Sequence, residues 1–150
     1  MKVDRLKWGL LFLLINLVLR VSAQQSDTDR KFVSELRANA EKDWARSQSI
    51  LRDGLLRDPR NADYHNLYAY AVRKGEKPNL DLVFKHYNEA LRINPKHRGA
   101  HEYIGEAYLM VGNVGKAKEH LSALDQICFF GCDEYGLLKK AIGEFEAKGK

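Results

Sequence analysis

The chain has 150 residues, of which 45% are hydrophobic and 30% are charged, with two cysteines and a formal net charge of +5. This length suits one domain and is too short for two of ordinary size. The hydrophobic content argues against wholesale disorder, and a content of only 11 glycines and 3 prolines excludes a collagen-like chain. The composition therefore indicates a small globular protein and leaves its chemistry open.

The segment 1–23 is typical of a secretory signal peptide, because three of its first seven residues are basic and an uncharged apolar stretch follows at 8–19. A helix that spans a bilayer needs about 20 apolar residues, so this stretch is too short for a stable membrane anchor. Small residues at the end of the segment predict cleavage after Ala23. An uncleaved N-terminal anchor is the alternative.

Removal of the signal peptide changes the charge of the chain. The segment carries four basic residues and one acidic residue, so the mature chain keeps 21 basic and 19 acidic residues, a net charge of +2. No cluster of lysine and arginine remains, so nucleic acid is not an expected partner. We expect a periplasmic or secreted protein, whose cysteines meet an oxidising environment.

After a flexible lead-in at 24–27, the rest of the chain is predicted to be all-α, since no long stretch alternates with the period of a strand. Pro59 and Pro95 each follow the end of a predicted helix and lie 36 residues apart, a spacing typical of a stacked repeat array. Amphipathic patterns predict seven helices, at about 28–41, 44–57, 62–74, 80–93, 99–111, 114–127 and 133–148.

This pattern resembles that of tetratricopeptide repeats, which are pairs of helices about 34 residues long with small and aromatic residues at fixed positions. The third copy matches best, with His101, Gly105, Tyr108 and Ala117 in the expected places. Small residues recur where paired helices would touch, since a large side chain there would separate the two backbones. These residues are Ser47, Gly54, Ala69, Ala90, Gly105 and Ala117.

The resemblance implies a right-handed α-solenoid of about three helix hairpins, at about 28–61, 62–97 and 98–131, with a capping helix at 133–148. The first copy is degenerate, because Glu35 stands where the family has a small residue. One helix pair cannot bury its apolar face alone, whereas three pairs and a cap bury a continuous core. The chain is also similar to small exported bacterial repeat proteins whose capping helix contains a cysteine.

In this family the first helices of successive repeats line a concave groove that binds peptides or partner helices. The resemblance therefore implies a protein or peptide partner and places seven residues of this chain on that face. Their amide, aromatic and charged side chains suit an extended peptide backbone, and a merely solvated helix face is the alternative. The seven are Asn66, Tyr70, Arg73, Lys74, Glu102, Glu106 and Met110.

The two cysteines, Cys128 and Cys132, are four residues apart at a predicted helix end that Gly131 loosens. In an oxidising compartment this spacing favours a structural disulfide that ties the third repeat to the capping helix. The alternative is an envelope protein that uses the pair to handle metal or redox chemistry, although redox motifs usually have C-x-x-C spacing.

No pattern in the sequence predicts a catalytic residue, a cofactor or a metal centre. An H-E-x-x-H zinc motif is missing, because Gly105 stands where its second histidine would be. His65, His86 and His120 are isolated in the sequence, and packing on the surface or between helices is their expected role.

We therefore expect a non-catalytic scaffold or adaptor that binds a protein or peptide in its groove. A further alternative is a structural protein that self-associates through the degenerate first repeat, where Phe32 and Leu36 would be poorly covered.

Overall fold

The computed structural model describes residues 43–149, and this part of the chain is all α-helical, with six helices and no strand. The helices are α1 (Trp44–Arg57), α2 (Ala62–Lys74), α3 (Leu80–Ile93), α4 (Arg98–Met110), α5 (Val114–Ile127) and α6 (Asp133–Lys148). The predicted bounds of five helices are confirmed, and α4 lies one residue earlier than predicted. The signal peptide, the lead-in and the predicted helix at 28–41 lie outside the described residues.

Five of the six described helices begin at a side chain that caps them. In each case the residue before the helix accepts a hydrogen bond from the backbone N–H three residues further on, which helix geometry would leave unpaired. These caps explain why polar loop residues mark the helix starts so closely. The capping residues are Asp43, Asn61, Asn79, His97 and Asn113.

The helices pack in chain order, and every second helix also contacts the next but one. Each helix from α1 to α5 packs against its successor, while α2 also contacts α4 and α4 also contacts α6. The helices α2, α4 and α6 therefore lie next to one another, α3 packs against α2 and α4, and α5 packs against α4 and α6. This arrangement brings equivalent parts of the α2–α3 and α4–α5 hairpins together.

The six small residues singled out in the sequence are all buried, and the two glycines among them lie where two helices touch. The closest approach is at Gly105 of α4, where a Cβ atom would lie 2.7 Å from both Cδ1 and Cδ2 of Leu138 in α6. At Gly54 of α1, a Cβ atom would lie 3.2 Å from the ring of Tyr64 in α2. Glycine at these positions lets neighbouring helices pack closely.

The last helix is held by an apolar cluster and by the two cysteines. Leu109, Leu124 and Leu138 are buried in the cluster that joins α4, α5 and α6. Cys128 and Cys132 pack against it and form a disulfide, with their Cα atoms 5.7 Å apart. Closing so short a loop stabilises the folded chain by about 2 kcal/mol in the chain-entropy description.

Candidate functional site

The helices α2 and α4 present a joint face made by Tyr70, Arg73 and Lys74 of α2 with Tyr103 and Glu106 of α4, called here the α2–α4 face. Two contacts fix how the helices are aligned. The ring centroids of Tyr70 and Tyr103 are 4.7 Å apart, and Arg73 Nη2 donates to Glu106 Oε2 at 2.7 Å. The face is therefore continuous across two successive hairpins.

The Arg73 guanidinium is the buried anchor of this face, since only 6% of its side chain is exposed. Besides Glu106, it reaches Tyr87 of α3, whose hydroxyl accepts a hydrogen bond from Arg73 Nε at 3.3 Å. Burial lowers the pKa of Arg73, but Tyr87 and Glu106 outweigh burial and raise it overall. Burial raises the pKa of Tyr87. Arg73 thus stays charged and Tyr87 stays neutral at every physiological pH.

Aromatic rings extend the α2–α4 face toward α1. Trp44 meets Tyr70 edge-on at 5.8 Å between centroids, so three half-buried rings follow one another from α1 to α4. The cations of Arg73 and Lys74 lie 5.3 and 5.7 Å from the centroid of the Tyr70 ring. Such contacts hold a ring and a cation in place and each contribute about 0.5–1 kcal/mol.

The seven predicted groove residues do not share one environment. Lys74 and Met110 are exposed, Tyr70 and Glu106 are half-buried and Arg73 is buried. The structure therefore brings Tyr70, Arg73 and Glu106 into contact and leaves Lys74 and Met110 at the surface.

The other two predicted groove residues, Asn66 and Glu102, are both buried, at 0% and 5% exposure. They are not part of an exposed face, and a role for them in binding stays a prediction. Neither Oδ1 nor Nδ2 of Asn66 has a hydrogen-bond partner. An unpaired buried polar group costs about 1–3 kcal/mol, so Asn66 is a locally unfavourable residue in a well-packed helix.

Four histidines form two hydrogen-bonded couples that sequence reasoning missed. His65 Nδ1 of α2 lies 2.8 Å from His86 Nδ1 of α3, and His101 Nδ1 of α4 lies 2.9 Å from His120 Nδ1 of α5. His65, His86 and His120, which are isolated in the sequence, thus pack between helices, one of the two roles expected of them, and they do so as members of pairs. Each couple joins the two helices of one hairpin.

The second nitrogen of the first histidine is fixed in the same way in both couples. His65 Nε2 lies 3.1 Å from the carbonyl oxygen of Pro59, and His101 Nε2 lies 3.0 Å from that of Pro95. The two histidines and the two prolines are each 36 residues apart, which is the repeat spacing. The second histidines, His86 and His120, are 34 residues apart, so comparing the copies reveals the couples only once the two extra residues of the loop at 75–79 are allowed for.

The remaining histidine, His97, has a different role. Its Nδ1 accepts a hydrogen bond from the backbone N–H of Ala100 and so caps α4. Its Nε2 lies 3.2 Å from a carboxylate oxygen of Asp63. Within residues 43–149 no three histidine, cysteine, aspartate or glutamate side chains are grouped closely enough to hold a metal ion. None of the helices in that range is long and apolar enough to cross a membrane.

Comparisons with models of protein families and with curated proteins found no match. The resemblance to tetratricopeptide repeats therefore rests on the residues of this chain alone. Its all-α prediction agrees with the described helices.

Proposed function

We propose that the chain is an exported, non-catalytic repeat scaffold that binds a protein or peptide partner along the α2–α4 face. The fold proposed with it is a right-handed α-solenoid of about three tetratricopeptide-like hairpins. The supporting observation is the aligned contact of α2 with α4 through Tyr70–Tyr103 and Arg73–Glu106. A groove built from the first helix of each repeat requires such an alignment.

The chemistry of the face favours a particular kind of partner. Arg73 and Glu106 offset each other's charge, so the free charge of the face comes from exposed Lys74. The half-buried ring of Tyr70 offers apolar contact next to it, and exposed Met110 lies on α4 one helical turn beyond Glu106. The proposed partner is therefore a segment with an acidic residue beside an apolar one, in extended or helical form.

The cysteines support export. A disulfide persists in an oxidising compartment and is rare in the cytosol, so the bonded Cys128–Cys132 pair agrees with a periplasmic or secreted location. Both cysteines pack against the apolar cluster of α4, α5 and α6. That packing favours a structural role for the pair over the alternative of metal or redox handling.

The proposal is tested with Lys74 of the face and with Met110 beyond its end on α4, since both are exposed. Replacing buried Arg73 would disturb folding as well as binding. Peptides would be selected from a random display library against the full chain, and their affinity would be measured by fluorescence anisotropy. The variant Lys74→Glu/Met110→Glu should weaken binding of the selected peptides by about tenfold or more, since it reverses the free charge and removes an apolar contact.

The matched control is Leu56→Glu/Arg57→Glu, which makes the same two kinds of change on α1. Leu56 is 80% exposed and Arg57 is exposed, so this control should fold equally well and bind like the wild type. Selection of no peptide above background, or equal affinity for both variants, would remove the proposed binding face.

A further inference from the structure

The two histidine couples share a hydrogen-bond arrangement whose proton positions follow from simple chemistry. A carbonyl oxygen only accepts hydrogen bonds, so His65 Nε2 and His101 Nε2 must carry hydrogen to bond Pro59 and Pro95. In a neutral imidazole the other nitrogen, Nδ1, is then an acceptor. The Nδ1 of the partner histidine in α3 or α5 must therefore be the donor.

One additional proton leaves each couple intact. If His65 gains a proton at Nδ1, it becomes the donor, and His86 accepts after moving its own proton to Nε2. A second proton breaks the hydrogen bond, because both Nδ1 atoms then carry hydrogen at a separation of 2.8 Å. Two donors cannot bond each other, and two like charges repel. The same holds for His101 and His120 at 2.9 Å.

We propose that the two couples make the hairpins acid-sensitive: each couple keeps its helix–helix contact with up to one added proton and loses the contact when a second arrives. The couples occupy the same place in the α2–α3 and α4–α5 hairpins. Both hairpins should therefore loosen over the same range of pH, so that a fall in pH destabilises both of them together.

The charged and titratable groups around the couples do not neutralise this effect. On the helix of each second histidine, a lysine lowers the pKa of that histidine and a glutamate raises it. A tyrosine ring from the facing helix packs on the same histidine. Burial lowers the pKa of His101, the hydrogen bond to the carbonyl of Pro95 raises it, and the charge of His97 lowers it further. The surrounding groups are Lys85, Glu89 and Tyr68 at His86, and Lys116, Glu119 and Tyr108 at His120.

Burial, followed by the neighbouring histidine, lowers the pKa of His86 to about 4 and that of His120 to about 4. An unfolded histidine titrates near about 6.5. Between these values the unfolded chain binds more protons than the folded chain, so the free energy of unfolding falls as the pH falls. The stability due to the couples is therefore complete above about pH 6.5 and is lost toward about pH 4.

The test compares thermal unfolding of the full chain, followed by circular dichroism, at about pH 7.5 and about pH 4.5. In the variant His86→Asn/His120→Asn, an amide that does not titrate replaces the second histidine and can donate or accept. The midpoint of the wild type should fall by about 5 °C or more beyond that of the variant. The control His97→Asn keeps a capping residue at the start of α4 and leaves all four histidines of the couples in place. Its midpoint should therefore also fall further between the two pH values than that of the variant.

Nitrogen NMR of the wild-type rings gives a second readout that does not depend on the variant folding. At neutral pH, His65 and His101 should carry hydrogen on Nε2 while His86 and His120 carry it on Nδ1. Scalar coupling across each Nδ1–H···Nδ1 bond should persist until the second proton enters. Four ordinary titrations near the same pH without such coupling, or equal acid sensitivity of wild type and variant, would overturn the proposal.

Discussion

Replacing Gly105 with leucine is expected to lower the free energy of unfolding by about 3 kcal/mol. A Cβ atom there would lie 2.7 Å from both terminal carbons of Leu138, which is fully buried. Both branches of Leu138 would have to move, and because Leu138 is fully buried they would have to move into occupied space. Separation of α4 from α6 would relieve the clash, and chemical denaturation measures its cost.

The matched control is Gly143→Leu in α6, where a Cβ atom would meet nothing within 4 Å. There the better helix propensity of leucine should stabilise the chain by about 0.5 kcal/mol. Combining Gly105→Leu with Leu138→Ala should cost less than the sum of the two single changes, since the alanine makes room. Additive losses would show that the two positions do not meet.

Removing the carboxylate in Glu106→Ala should destabilise the chain by about 3 kcal/mol, because Arg73 would be left as a buried cation. The reverse change, Arg73→Met, should cost distinctly less. Glu106 is 29% exposed and can be hydrated once unpaired, whereas only 6% of the Arg73 side chain is exposed. Urea denaturation of the two variants measures this asymmetry.

The exposed pair of Lys116 with Glu119 is the control, since it has the same 2.7 Å separation. Glu119→Ala should cost far less than Glu106→Ala because water screens this exposed pair. Similar losses of unfolding free energy for Glu106→Ala and Glu119→Ala would mean that Arg73 is not a buried cation that depends on Glu106 in solution.

Helix positions could be predicted closely because local chemistry determines them. The asparagines at 61, 79 and 113 mark helix starts, and each one caps a helix through its side chain. Gly112, with a φ of +75°, adopts a left-handed turn after α4 that glycine allows without strain. Signals of this kind act over three or four residues, so a single sequence contains them in full.

The candidate site was less predictable because it depends on contacts between distant residues. The resemblance to tetratricopeptide repeats implied that Asn66 and Arg73 face the groove, but it could not show that both are buried or that Arg73 pairs with Glu106. His65 and His86 are 21 residues apart, and each considered alone gave no sign of its partner. Only the recurrence of the pattern in the next repeat carried that information.

The central claim is that successive hairpins stack with their first helices side by side, and nuclear Overhauser contacts in the full chain test it most directly. The account predicts contacts between the ring protons of Tyr70 and Tyr103, and between Gly105 and the methyl groups of Leu138. Absence of these contacts, together with strong ones between α1 and α6 that close the helices into a bundle, would contradict it.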